Sequence, residues 1–112
     1  MEKAGKIWGC TTRIRPGVHH LSIKKGGYCS KHRHLHKSNW FYVVSGELRI
    51  KTWKNDYDLC DETVLLPGDY CVVHPDEYHL FQALRQTEVI EGYFIELDEG
   101  DIEREDVGGI KR

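Results

Sequence analysis

Histidine alternates with other residues at His32, His34 and His36, and a further histidine, His79, follows much later in the chain. Neutral imidazole is the commonest protein ligand for Zn, Ni, Fe and Cu. Because side chains of a β-strand alternate between its two faces, histidines two positions apart can lie on one face. Two of them, with His79 from another strand, could occupy one side of a metal and leave other positions for water or substrate. Such a cluster would suit one divalent transition metal, either Zn, Ni, Fe or Cu.

The histidine triplet also fits a solvated surface, because Lys31, Arg33 and Lys37 lie between and beside the three side chains. So short a pattern, taken alone, leaves metal binding and a solvated loop open. His36 is the ambiguous member, since it could be a fourth ligand, support another ligand, or lie outside the cavity. The adjacent histidines at 19–20 point to opposite faces of their strand, and we assign them no function.

The bulk composition describes one soluble domain. The chain has 112 residues, 39% hydrophobic and 30% charged, with a formal net charge of -2 that argues against a nucleic-acid partner. No apolar run approaches the roughly 20 residues that span a bilayer, and the first residues do not resemble a signal peptide. Four cysteines without a C-x-x-C pair indicate free thiols in the cytoplasm. A chain this small with many β-edges is expected to form a homodimer.

The elements that must position the histidines are short strands, and no long amphipathic helical period is found. Strands are predicted over residues 18–25, 28–36, 40–44, 48–53, 57–60, 63–66, 70–73, 78–84 and 88–97. Their turns recur about every 8–12 residues, which is typical of a sandwich or barrel. The strands at 40–44 and 48–53 are predicted to pair as a hairpin. We expect one all-β domain over residues 1–112, with a barrel core at 18–97 and a charged tail at 98–112.

The spacing around the histidines resembles the first motif of the cupin superfamily. Gly26 is followed by five residues and then by His32 and His34; four further residues lead to Asn39, and six more to Gly46. The family usually carries glutamate at the position of Asn39. The resemblance implies a double-stranded β-helix, or jelly-roll barrel, and makes His32 and His34 metal ligands, with Asn39 at the fourth position.

A second cupin motif resembles residues further along the chain. The glycine-aspartate pair Gly68–Asp69 precedes His79 in the family's register, whereas Ala83 stands where the motif usually ends in asparagine. The resemblance implies that His79 is the third metal ligand. The two motifs together cover about half of the chain, and they indicate fold and metal more strongly than reaction.

A narrower resemblance concerns the small mannose-6-phosphate-isomerase-type cupins. It rests on Trp8–Gly9, on the sequence Val-Val-Ser-Gly at 43–46, and on an Asp-Ile-x-Arg tail at 101–104 followed by Gly109. The resemblance implies a metal-dependent isomerase of a sugar or sugar phosphate, with a small-molecule, carbohydrate-like ligand. The alternatives left open are a non-catalytic metal- or ligand-binding module, an Fe(II)-dependent oxygenase and a barrel without metal.

Strand parity gives expectations for the cavity. Phe41 and Val43 share the face of Asn39, which predicts a largely apolar wall without an obvious anchor for a phosphate. Asn39 itself brings no charge and cannot act as a general base. The basic residues that could supply an anchor are Arg13, Arg15 and Lys24. The acidic residues of the last predicted strand are expected at solvated edges, with one allowed to face inward: Glu88, Glu91 and Glu96.

Overall fold

The computed structural model describes residues 2–53 and 60–95, together with Gly108 and Ile110. These residues form strands and connecting segments, without a helix. The strands are β1 (Lys3–Lys6), β2 (Gly9–Arg15), β3 (Val18–Ile23), β4 (Ser38–Ser45), β5 (Leu48–Trp53), β6 (Cys60–Leu65), β7 (Tyr70–Val73), β8 (Tyr78–Ala83) and β9 (Thr87–Phe94). The predicted all-β fold class is confirmed. Within the described ranges, no helix is long and apolar enough to cross a membrane.

The strands form two antiparallel sheets, one with the order β1-β2-β3-β9-β4-β7 and one with the order β6-β5-β8. Inward side chains follow the period of two that sequence parity predicts, as in β4, where Asn39, Phe41 and Val43 are buried and Tyr42 and Val44 are exposed. Burying each large apolar side chain contributes roughly 1.5–3 kcal/mol. The core side chains are Leu21, Ile23, Phe41, Val43, Leu48, Ile50, Leu65, Val73, Phe81, Ala83 and Val89.

The predicted hairpin between β4 and β5 is wrong, because the chain crosses from one sheet to the other between them. β4 pairs with β7 and β9, whereas β5 pairs with β6 and β8. The crossing is held by Thr87, whose hydroxyl accepts from the backbone N–H of Glu47 and lies 3.1 Å from both the N and O atoms of that residue. Gly46 has a φ of +91° and packs against Thr87, so no side chain fits there.

The prediction of a regular strand over residues 28–36 is also wrong. This stretch, which we call the histidine segment (residues 28–37), runs beside β8 with two isolated bridges, Tyr28 to Gln82 and His32 to His79. The backbone N–H groups of His32 and His79 donate to each other's carbonyl oxygens over 3.1 and 2.8 Å. A bend at 35–36 ends the extended course. The bridge at His32 therefore places this segment beside His79, and backbone hydrogen bonds from Cys29 to Phe81 and from Asp76 to His34 hold it on either side.

Two strands that the sequence patterns did not predict, β1 and β2, extend the larger sheet at its N-terminal edge. Their residues are mostly polar on both faces, so hydrophobic alternation gives no signal there. The predicted turn at 54–56, the first part of the strand predicted at 57–60 and most of the predicted tail lie outside the described residues.

Candidate metal centre

Three of the predicted ligands meet in space. His32 and His34 come from the histidine segment and His79 from β8, and their potential ligand atoms all lie within 4.8 Å of one another. The ring centroids of His32 and His79 are 4.4 Å apart, and those of His34 and His79 are 5.6 Å apart. The antiparallel bridge between His32 and His79 explains this meeting, because directly opposed residues place their side chains on one face.

The hydrogen bonds of these histidines leave free the nitrogen atoms that would bind a metal. His32 Nδ1 lies 2.7 Å from the carbonyl oxygen of Ser30, and His79 Nδ1 lies 3.1 Å from that of Glu77. A carbonyl oxygen only accepts, so each Nδ1 carries the proton and each Nε2 keeps a lone pair. The Nε2 atoms of His34 and His79 are buried without a hydrogen-bond partner among the described residues. An unpaired buried polar atom costs about 1–3 kcal/mol, and a metal ion would satisfy both.

The electrostatics of the cluster favour neutral imidazoles. Burial lowers the pKa of His34 to about 4, helped by repulsion from Lys37 and from the other two histidines. Burial also lowers the pKa of His79. Metals bind the neutral form of imidazole, and a purely nitrogen donor set suits Zn, Ni, Fe(II) or Cu better than Mg or Ca. The side chains present therefore fit the transition metal that the sequence predicts.

A buried carboxylate, Glu91, lies beside this cluster, and it belongs to the three glutamates of which the sequence allowed one to face inward. It is 8% exposed, and burial raises its pKa. Its Oε2 accepts a hydrogen bond from Asn39 Nδ2 over 3.4 Å, and its Oε1 accepts one from the Tyr93 hydroxyl over 3.1 Å. Strand parity agrees with this, because Val89 and Thr87, two and four residues earlier on the same strand, are also buried.

Glu91 opens into a cavity of about 360 Å³ that His32 of the histidine cluster also lines; we call it the histidine cavity. His32, Tyr93 and His19 line it together with Glu91, and Lys6 lies at its wall. The expected apolar wall is found only in part on this side of the barrel, because Leu21 and Phe81 line the cavity beside these polar groups. Strand parity on β4 does not predict these polar side chains, because they belong to other elements.

His19, which the sequence analysis left without a function, belongs to this cavity. Its ring packs edge-on against Tyr93, with centroids 6.0 Å apart, and its Nδ1 is buried without a partner among the described residues. Its neighbour His20 faces outward and pairs with Glu88 at 2.8 Å. Glu88 is therefore the outward carboxylate of β9 and Glu91 the inward one, while Glu96 lies outside the described residues.

The remaining predicted site residues lie apart from the cluster. His36 is exposed in the bend at 35–36 and is not grouped with the three other histidines. Asn39 is buried, but its Nδ2 is directed to Glu91, so only its unpaired Oδ1 is free to meet a ligand. Arg33, which lies between the two ligand positions of its segment, points outward, over the ring of Tyr78 and 3.1 Å from Asp76.

Comparisons with known proteins place the fold. Protein-family models and curated protein sequences give no match. Among solved structures, KdgF from a Halomonas species matches 80% of this chain and 88% of its own, with a TM-score of 0.59 and 19% identity. The CENP-C cupin domain of Drosophila melanogaster matches 76% of this chain and 65% of its own, with a TM-score of 0.65 and 14% identity.

A third similar structure is the capsular polysaccharide assembling protein CapF from Staphylococcus aureus. It matches 89% of this chain with a TM-score of 0.72 and 20% identity, and this chain spans 30% of its length. The chain thus has the cupin fold, a jelly-roll barrel. More narrowly, it is a small cupin-fold protein whose three clustered histidines, His32, His34 and His79, could hold a metal.

Proposed function

We propose that the protein is a metal-dependent enzyme that moves a proton between neighbouring carbons of a hydroxy-carbonyl compound of the carbohydrate class. One observation carries this proposal. Glu91, a buried carboxylate, lines the same cavity as His32 of the histidine cluster. A base beside open metal positions is what an aldose–ketose isomerisation needs and what a purely structural metal does not need.

The proposed chemistry divides between a metal and the side chains around it. A divalent metal held by His32, His34 and His79 would polarise a carbonyl or hydroxyl oxygen of the substrate as a Lewis acid. Glu91 removes the proton from the hydroxyl-bearing carbon next to the carbonyl and returns it to the former carbonyl carbon. The hydroxyl proton passes to the former carbonyl oxygen, so the carbonyl and the hydroxyl exchange places and no oxidant is needed. Burial raises the pKa of Glu91, which brings this carboxylate nearer to the pKa of an efficient base at neutral pH.

Two hydrogen bonds hold the base in place. The Asn39 amide and the Tyr93 hydroxyl each donate to one carboxylate oxygen of Glu91, so the carboxylate plane is fixed before substrate binds. Such preorganisation is a large part of what a catalytic site contributes. In this proposal Asn39 positions the base, and its Oδ1 stays available as a fourth metal ligand.

Deuterium uptake tests the proposal. Metal-loaded protein is incubated in D₂O with a panel of aldoses, ketoses and their phosphates, and exchange at the carbon beside the carbonyl is followed by proton NMR. We expect exchange that disappears after metal removal and in Glu91→Gln. Glu88→Gln is the matched control, because it removes a carboxylate from the outer face of the same strand. Loaded protein that binds ligands of the panel without exchanging any of them would instead be a non-catalytic binding module.

We also propose that the protein is a cytoplasmic homodimer. Its two copies pack through the outer face of the larger sheet, where apolar side chains form a shallow cavity: Trp40, Tyr42, Tyr70, Val72 and Ile90. The protein works in the cytoplasm, in keeping with its four unpaired thiols, of which Cys60 is exposed.

A further inference from the structure

We propose that a lysine-lined cleft beside the histidine cavity binds the anionic group of an acidic or phosphorylated carbohydrate. The cleft has a volume of about 600 Å³, and its walls include Lys6, Trp8, Lys24, Lys25 and Tyr28; we call it the lysine cleft. This proposal names the substrate class of the proposed enzyme, and it rests on that function for where the reacting end of the ligand lies. The binding of the anionic end stands on the residues of the cleft alone.

The charge of the lysine cleft is unbalanced. Its three ammonium groups, on Lys6, Lys24 and Lys25, belong to exposed residues, and none of them forms an ion pair with a described residue. The chain as a whole has a net charge of -2, so this concentration of positive charge is local. A cleft lined by one sign of charge raises the local concentration of ligands of the opposite sign.

The walls of the lysine cleft are fixed by backbone hydrogen bonds. The N–H of Lys24 donates to the carbonyl of Trp8, and the N–H of Gly27 donates to the carbonyl of Lys24, both over 2.8 Å. Gly26 and Ala83 tie the same loop to the end of β8 over 2.8 Å. A Cβ at Gly27 would lie 2.8 Å from the Trp8 carbonyl oxygen, so this close approach requires glycine. The lysines therefore start from anchored backbone, which lowers the entropic cost of binding.

Aromatic side chains supply the second half of the recognition. Trp8 is held edge-on against Phe81 with ring centroids 5.2 Å apart, and Tyr28 is 66% exposed at the rim. Flat aromatic rings offer the apolar face that packs against the C–H face of a sugar ring. Ammonium groups beside such rings match a sugar that carries a carboxylate or a phosphate.

The lysine cleft and the histidine cavity adjoin each other. Lys6, Trp8, Cys29 and Ser30 line both of them. A ligand with its carbonyl end near Glu91 would therefore extend its anionic end toward Lys24 and Lys25. This supplies the cationic anchor that strand parity could not locate, with Lys24 the member anticipated from the sequence.

Single-stranded nucleic acid also combines negative charge with stacking, but the cleft favours a small ligand. Its volume falls within the range of about 300–1,000 Å³ typical of small-molecule sites. Nucleic-acid grooves instead follow the backbone over several nucleotides. On its inner side the lysine cleft adjoins the histidine cavity, where the Glu91 carboxylate would repel a phosphate backbone.

Binding to defined probes tests the proposal. Titration calorimetry and amide chemical shifts of residues 24–30 are recorded with trigalacturonate and with mannose 6-phosphate, against mannose as the neutral probe. We expect both anionic probes to bind more tightly than mannose and to shift the Trp8 indole signal. In Lys24→Ala/Lys25→Ala their affinity should fall about tenfold or more, as loss of hydrogen bonds to a charged group predicts.

The matched control is Lys51→Ala/Arg85→Ala, which removes the same charge from sites away from both cavities and should leave the affinities unchanged. The lysine cleft holds the anionic end of the ligand without the metal, so metal-free protein should bind the anionic probes as tightly as metal-loaded protein. This result separates binding in the cleft from the proposed reaction, which needs the metal. The tighter of the two anions identifies carboxylate or phosphate as the preferred group. Anionic probes that bind no better than mannose, equal losses in both double variants, or tighter binding of oligodeoxythymidylate would each overturn the proposal.

Discussion

The Nδ2 atom of Asn39 lies 3.4 Å from the Oε2 atom of Glu91. Asn39 occupies the position where the cupin motif usually has glutamate, and it donates a hydrogen bond to a glutamate of the neighbouring strand in the sheet, β9. β4 and β9 are antiparallel neighbours, with Asn39 opposite Tyr93 and Phe41 opposite Glu91. The diagonal from Asn39 to Glu91 therefore stays on the inward face. A carboxyl group of β9 therefore lies beside the position where the motif usually has one on β4.

This relationship predicts that Asn39→Ala slows proton exchange without removing the metal. The variant loses one of the two donors that fix the carboxylate of Glu91, and one hydrogen bond to a charged group is worth about 1.5–3 kcal/mol. We expect the exchange rate to fall about tenfold or more, with Tyr93→Phe giving a similar loss through the other oxygen. Rates are measured by NMR and metal content by plasma mass spectrometry on the same samples. A large loss of metal in Asn39→Ala alone would instead identify its Oδ1 as a fourth ligand.

Metal content tests the histidine assignments directly. Untagged protein should carry about one equivalent of Zn, Ni, Fe or Cu, and His32→Ala/His34→Ala should lose it, because two of three clustered nitrogen donors are removed. His36→Ala is the matched control from the same segment. Its side chain is exposed in the bend, so we expect full metal content.

Two results would contradict this assignment. The metal could disappear in His36→Ala, which would require the bend at 35–36 to refold around the ion. Alternatively, the wild-type protein could fail to take up any of the four ions after reloading, which would make the cluster a metal-free histidine core. Circular dichroism on each variant separates loss of metal from loss of fold.

Local sequence patterns predict the parts of the site that depend on one strand or on the cupin motifs. Parity places Phe41 and Val43 with Asn39, and the motif spacing brings His32, His34 and His79 together. These features need only the period of two of a strand and a family register.

The parts that sequence patterns miss depend on pairing between strands far apart in the chain. His19 on β3 meets Tyr93 because β3 pairs with β9, and no local signal carries that information. The prediction of a hairpin around residues 45–47 is wrong for the same reason. Thr87 lies on β9, far along the chain, and its hydroxyl forms a hydrogen bond with Glu47 where the chain crosses between the sheets. The N-terminal strands escape notice because their polar residues lie on an extended sheet edge with little burial.

The outer face of the larger sheet predicts a homodimer. Tyr70 is 69% exposed and Tyr42 is 42% exposed beside Val72, and β7 is the edge strand of the sheet. Adjoining exposed apolar side chains favour a second copy over water. Analytical ultracentrifugation should give about twice the chain mass of 13.1 kDa. Tyr70→Lys/Val72→Lys should shift the protein to the monomer by introducing charge into the contact.

Val64→Lys is the control for the dimer, because it places a charge on an exposed valine of β6 in the other sheet and should leave the mass unchanged. A wild-type protein that sediments as a monomer at micromolar concentration removes the proposed interface. Dimers that persist in Tyr70→Lys/Val72→Lys would assign the contact to another face.

Burial of Cys71 makes the stability of the fold sensitive to alkaline pH. Cys71 lies on β7 opposite Phe41, and burial raises the pKa of its thiol from 9.0 to about 11. Between these values the unfolded chain releases the proton and the folded chain keeps it, so the free energy of unfolding falls as pH rises from 9 to 11. Below pH 9 both states are protonated, and the thiol adds no pH dependence. Urea titrations across this range should show up to about 2.7 kcal/mol of the decline disappearing in Cys71→Ala, with Cys60→Ala as the exposed-thiol control. A decline with pH that is unchanged in Cys71→Ala would mean that the thiol reaches water in the folded protein.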